Sequence, residues 1–139
     1  MNLRKNLIYI NILILSLFFL KSSIIAGQTV SEEVKNAFQT ASAGKLSSYF
    51  GSTVTLNIPG TDSQFTKEDA RNEMHKFFTG HRVKNFEIKF KGEKNNSNFI
   101  IGTLYTNKGT YRVNIFFKKT EGNNHIHLLR IDKEHGSKF

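Results

Sequence analysis

At 139 residues, with 22% charged residues, 13 Phe and a single Pro, the chain has the composition of one small folded domain, which excludes a two-domain enzyme and a disordered chain. It has no Cys, which removes disulfides, thiolate metal sites, iron–sulfur clusters, cysteine nucleophiles and lipid attachment through cysteine together. The 20 Lys and Arg outweigh 11 Asp and Glu by +9, or +6 without Arg4, Lys5 and Lys21 of the leader described next; with no basic run longer than two residues, this charge reads as solubility, and no nucleic-acid partner is expected.

Arg4 and Lys5 precede an apolar stretch from Leu7 to Leu20 that is broken only by Asn11 and Ser16. It is shorter than the roughly 20 residues that cross a bilayer, and its positive charges lie on the amino-terminal side, as in a signal peptide. Ser22 to Gln28 offers a cleavage point after Ala26, although Ile24 is bulky for such a site. The expectation is a leader over 1–26 and one domain over 27–139, exported to the periplasm or secreted, with membrane contact only through the leader. An uncleaved anchor is the alternative.

Thr29 and Glu32 have the spacing of a capping box, and Val30, Val34, Ala37, Phe38 and Ala41 recur at three and four, which predicts an amphipathic helix ending near Gly44. Lys45 to Phe50 reads as a short helical turn, and Thr53 to Ile58 alternates as a strand stopped by Pro59 and Gly60. Thr66 and Asp69 repeat the capping spacing ahead of a helix with Ala70, Met74, Phe77 and Phe78 on its inner stripe, closed by Gly80.

The rest is strand. Phe86, Ile88 and Phe90 alternate with charged residues, and Phe99–Thr106, Thr110–Lys119 and His125–Lys133 follow as an antiparallel meander. Asn107-Lys108-Gly109 suits a three-residue loop that would oppose Tyr105 to Tyr111, Thr103 to Val113 and Ile101 to Ile115. In that register Phe99, Ile101, Tyr105, Tyr111, Val113, Ile115 and Phe117 face the helices, while Ile100, Leu104 and Phe116 face outward. The last hairpin has apolar residues on both faces, Ile126 and Leu128 on one and Leu129 and Ile131 on the other.

This order of elements is that of the cone-shaped α+β fold named after nuclear transport factor 2, also called cystatin-like. At Gly44-Lys-Leu-Ser-Ser-Tyr-Phe50, at Phe77-Phe78, at Ile101-Gly102-Thr-Leu104 leading to Gly109-Thr-Tyr-Arg-Val113, and at Leu129-Arg-Ile131, the chain resembles a family of exported Bacteroidetes proteins known as domain of unknown function 4783. The likeness runs from about Val30 to Asp132. It implies helices packed on a strongly curved antiparallel sheet with a pocket between them. It implies no reaction, because that family has no established one and the fold hosts enzymes and binding modules alike.

His125 and His127, two apart on a strand, could present two metal ligands to one face, but no third ligand is placed to join them, so no metal is expected. Glu32, Glu33, Asp69 and Glu73 read as acids near helix starts. Phosphate loop, nucleophile elbow, zinc-protease helix and dinucleotide fingerprint are all missing, so neither a catalytic residue nor a cofactor is assigned.

By subtraction the expected function is non-catalytic binding, either of a small ligand in the cone pocket beside Tyr49, Phe50, Phe77, Phe78 and Phe90, or of an envelope protein on the sheet through Arg112, Phe116 and Arg130. The alternative is an isomerase or hydratase with a buried acid, for which Asp132, Tyr49, Tyr105 and Tyr111 are the residues to test. A homodimer through the outer sheet face is also expected, with Ile100, Leu104 and Phe116 as its apolar patch, Gly102 as its low point, and Arg112 and Arg130 as its rim.

Overall fold

The computed structural model describes residues 2–19, 29–95 and 97–136. In chain order the elements are α1 (Leu3–Phe19), α2 (Val30–Gln39), α3 (Ala43–Ser47), β1 (Phe50–Ile58), β2 (Thr61–Thr66), α4 (Lys67–Gly80), β3 (Val83–Lys94), β4 (Ser97–Thr106), β5 (Gly109–Thr120) and β6 (Asn123–Lys133). The six strands form one sheet in the order β2-β1-β6-β5-β4-β3, with α2 packed on β3, α4 on β1 and β2, and α3 between the two helices. Among the described residues no helix is long and apolar enough to cross a membrane.

α2 ends earlier than its periodicity predicts. Ala41 takes a left-handed φ of 51°, and the amide of Ser42 donates to the carbonyl of Ala37 at 2.8 Å, which terminates the helix before Gly44. The two predicted caps also differ. Thr66 accepts from the amide of Asp69 at 3.2 Å, whereas Thr29 makes no side-chain cap and its hydroxyl bonds Ser31 instead.

β2 is absent from the sequence reading. Its polar residues Thr61 to Gln64 lack the alternation of a half-buried strand, yet Gly60, at φ 84°, turns the chain back so that Phe65 lies opposite Val54. A polar strand at the sheet edge also discourages pairing with another chain. β1 pairs parallel with β6, joining the hairpin β1–β2 to the expected meander β3–β4–β5–β6.

The middle hairpin has a two-residue turn, Asn107-Lys108, and not the three-residue loop expected. Thr106 is paired with Gly109, and the Thr106 hydroxyl donates to the Gly109 carbonyl at 2.9 Å while accepting from the Lys108 amide at 3.1 Å. Leu104 therefore opposes Tyr111, Gly102 opposes Val113 and Ile100 opposes Ile115. One residue of shift exchanges the faces of β4, so Ile100, Gly102 and Leu104 point to the core and Phe99, Ile101 and Tyr105 point away. The inward residues of β5, namely Tyr111, Val113, Ile115 and Phe117, are the expected ones, at 0–3% exposure.

The ambiguity of the last hairpin is resolved by a bulge. Phe116 pairs with Leu128 and Phe117 with Ile126, leaving His127 as the extra residue, so Ile126 and Leu129 both reach the core. The centre of that core is aromatic. Phe38 of α2 stacks on Phe86 of β3 at 4.6 Å and meets Phe78 of α4 edge-on at 5.8 Å, and Phe77 meets Tyr111 edge-on at 6.0 Å. Each such ring contributes about 1.5–3 kcal/mol by leaving water, so this cluster dominates the packing of helices on sheet.

Candidate functional site

Among the described residues, most side chains expected to wall a pocket between helices and sheet are packed into the core instead. Phe50, Phe77 and Phe78 are 1%, 5% and 6% exposed and belong to the core, and Tyr49 is half-buried against it. Phe90 lies on the opposite face of the sheet, where it pairs with Ile101, and it is 59% exposed. None of these five residues lines any of the four clefts described below. The physical reason is the cluster just described, in which the rings occupy the space that a ligand would need.

Open space begins where the helices stop. β3 and β5 have 12 residues each and span about 40 Å, whereas the 14-residue α4 is about 21 Å long and the 10-residue α2 about 15 Å. Among the described residues, no helix covers the inner sheet face beyond the first turn of α2. A cleft of about 530 Å³ lies there, lined on its apolar side by Val30, Gly92, Phe99, Ile100 and Phe117. Ser31, Lys91, Glu93, Asn98 and Asn124 supply its polar lining. A second cleft of about 620 Å³ shares Glu93, Asn98 and Asn124 with the first and adds Lys118 and Lys119. Neither was singled out from the sequence, where these Asn and Lys residues read as hairpin ends. The signal that could have found them is the excess of strand length over helix length.

Two further clefts are polar. One of about 660 Å³ lies between the α2–α3 connection and α4, with Ser42, Glu68, Arg71 and His75 among its residues. The other, of about 460 Å³, runs along the edge of β3 beside Lys35 and Gln39 of α2. There Gln39 donates to the carbonyl of Phe86 at 3.1 Å and covers part of the strand edge. The Glu87 carboxylate accepts from Lys89 and from the Tyr105 hydroxyl, and the Lys89 hydrogen bond holds its carboxyl below the ordinary value of 4.5.

The residues named for an isomerase are not brought together. Asp132 accepts from Arg130 Nε at 2.7 Å on the outer face, Tyr105 is on that face with Glu87, and Tyr111 is inside the core. Tyr105 and Tyr111 therefore do not form the cross-strand pair that the three-residue loop implied. Each of the 11 acids is at least partly exposed, and the one resolved carboxyl shift is downward, opposite to that of a buried general acid. The bulge leaves His127 exposed and His125 half-buried, with His125 Nδ1 lacking a hydrogen-bond partner among the described residues. Among the described residues no three His, Cys, Asp or Glu converge.

Arg112, Phe116 and Arg130 do share the outer sheet face. Phe116 is tilted against Phe99 at 6.3 Å, and Phe99 stacks on Phe90 at 6.0 Å, giving an aromatic stripe across three strands. The patch expected there from Ile100 and Leu104 is a correction: both are core residues, and Phe90, Phe99 and Ile101 stand in their place. Gly102 likewise faces the core, beneath Phe86.

Residues 31–132 match the family model DUF4783, described as a domain of unknown function. A DUF4783 family protein from Bacteroides uniformis is 37% identical, and the match covers 76% of this chain and 98% of that one with a TM-score of 0.73. Its counterpart from Bacteroides ovatus is 38% identical over 78% and 99% of the two chains, also at 0.73. A domain of unknown function with a cystatin-like fold from Nostoc punctiforme, 12% identical over 78% and 75%, has a TM-score of 0.63 and shares the fold alone. No curated protein matches the chain.

Proposed function

The chain belongs to the DUF4783 family, on the nuclear transport factor 2-like fold, and we propose that it acts as an exported, non-catalytic binding domain whose ligand occupies the cleft beside the first turn of α2. One observation carries this reading. The aromatic side chains of the interior are buried against one another, while among the described residues the end of the sheet beyond α2 offers about 530 Å³ with an apolar wall and a few polar groups, the make-up of a small-molecule site. Export rests on Arg4 and Lys5, in the first turn of α1, ahead of the apolar run that begins at Leu7. The test is native mass spectrometry of the protein purified from its own source, followed by amide chemical-shift mapping of whatever co-purifies. Shifts centred on Val30, Ile100 and Asn124 are expected. A ligand that shifts only residues elsewhere removes the reading.

A second reading, a homodimer through the outer sheet face, is favoured by one feature. Phe90 is 59% exposed although it stacks on Phe99, and large aromatics left open on a sheet face are characteristic of contact surfaces.

A further inference from the structure

The two clefts beyond α2 join an apolar wall to unpaired positive charge. Val30, Phe99, Ile100 and Phe117 line the first together with Lys91, and Lys118 and Lys119 line the second. Among the described residues none of these three lysines is in an ion pair, and Glu93 is the one acid that lines either cleft. The half-buried Asn98 and Asn124, common to both, supply amide donors and acceptors where the two regions meet. An uncharged apolar ligand would leave the lysines unused, and a small inorganic anion would leave the wall unused.

We propose that these two adjoining clefts together take a single-chain anionic amphiphile, its aliphatic part against Val30 and Phe99 above the buried Ile100 and Phe117, and its carboxylate among Lys91, Lys118 and Lys119. The proposal rests on the binding role given above to the first of these clefts. Charge complementarity selects the sign of the head group, and the wall selects the chain. Lys91, Lys118 and Lys119 are exposed, so their pairing with a ligand adds moderately to affinity and sets specificity.

The Bacteroides relatives fold as chains matched over 98% and 99% of their length by about three quarters of this one, so residues 27–139 are suited to the test. That domain is titrated with dodecanoate below its micellar threshold, with dodecyl maltoside and dodecyltrimethylammonium as uncharged and cationic comparisons, and read by amide chemical shifts. Dodecanoate is expected to shift Val30, Ile100, Phe117 and Asn124, and to bind roughly tenfold more weakly to a Lys118→Glu/Lys119→Glu variant. Val30→Glu is expected to weaken it as well; Val30 is 38% exposed at a helix start, so an acid there leaves the fold intact.

Equal binding of all three amphiphiles, unchanged in the lysine variant, overturns the charge assignment and leaves the cleft as a binding site. Failure of all three while a co-purified molecule shifts the cleft overturns this proposal alone. Failure of every ligand there overturns both. Co-sedimentation with phosphatidylglycerol vesicles, without dodecanoate shifts, assigns the lysines to a membrane surface and likewise overturns it.

Discussion

The ring of Phe86 lies directly over the α-carbon of Gly102, so closely that a Cβ built on Gly102 would sit 2.5 Å from Phe86 Cζ and 2.8 Å from the Glu87 carbonyl oxygen. Phe86 is wholly buried and stacked on Phe38, and the carbonyl belongs to a paired strand, so neither can yield. Gly102→Ala is therefore expected to destabilise the domain by about 1–3 kcal/mol through overpacking, measured by urea unfolding. An unchanged midpoint would show that the inner face of β4 is not the one described.

The two threonines that precede helices are expected to differ. Thr66 caps α4 through the Asp69 amide, and Thr66→Ala should cost about 1 kcal/mol. Thr29 makes no such bond, and Thr29→Ala should leave the midpoint within about 0.5 kcal/mol. Equal losses in the two variants would restore the capping box read from the sequence at Thr29 and Glu32.

Acid should erase the contribution of Glu87. Its carboxyl is held below 4.5 in the folded chain, so the unfolded chain binds more protons as pH falls; the stabilisation is present above that value and is lost as pH drops through the folded one. Lys89 is raised above 10.5 by the same hydrogen bond, so its share is present below that value and fades as pH rises through the raised one. Melting temperatures of the wild type and Glu87→Gln should differ slightly at about pH 7 and converge as pH falls below 4.5. A gap that widens in acid would reverse the sign of the shift.

Sedimentation tests the outer stripe. The domain is expected to be dimeric at tens of micromolar, and Phe90→Glu, which alters an exposed ring, to sediment as a monomer without loss of stability. Phe116→Glu should act in the same direction, with some loss of stability because Phe116 is half-buried. A monomeric wild type, or a dimer indifferent to both changes, removes the homodimer.

What the sequence determined by itself is whatever depends on local periodicity. The three- and four-residue spacing of Val34, Ala37 and Phe38 and of Ala70, Met74, Phe77 and Phe78 marks the buried stripes of α2 and α4, and the alternation of Tyr111, Val113, Ile115 and Phe117 marks the inner face of β5. The order of these elements also carries the fold and the family.

The tertiary structure decided the rest, because each remaining feature belongs to a partner distant in sequence. The face of β4 follows from one residue of register, set by the Thr106 hydroxyl at the turn and by the fit of Gly102 under Phe86. β2 is a strand because β1 lies beside it, and Ile126 and Leu129 both reach the core because the bulge at His127 resets the alternation. The open space lies away from the expected pocket for the same reason. Aromatic residues that could have walled a pocket pack on one another instead, and the open space lies where 12-residue strands outrun the shorter helices that cover them.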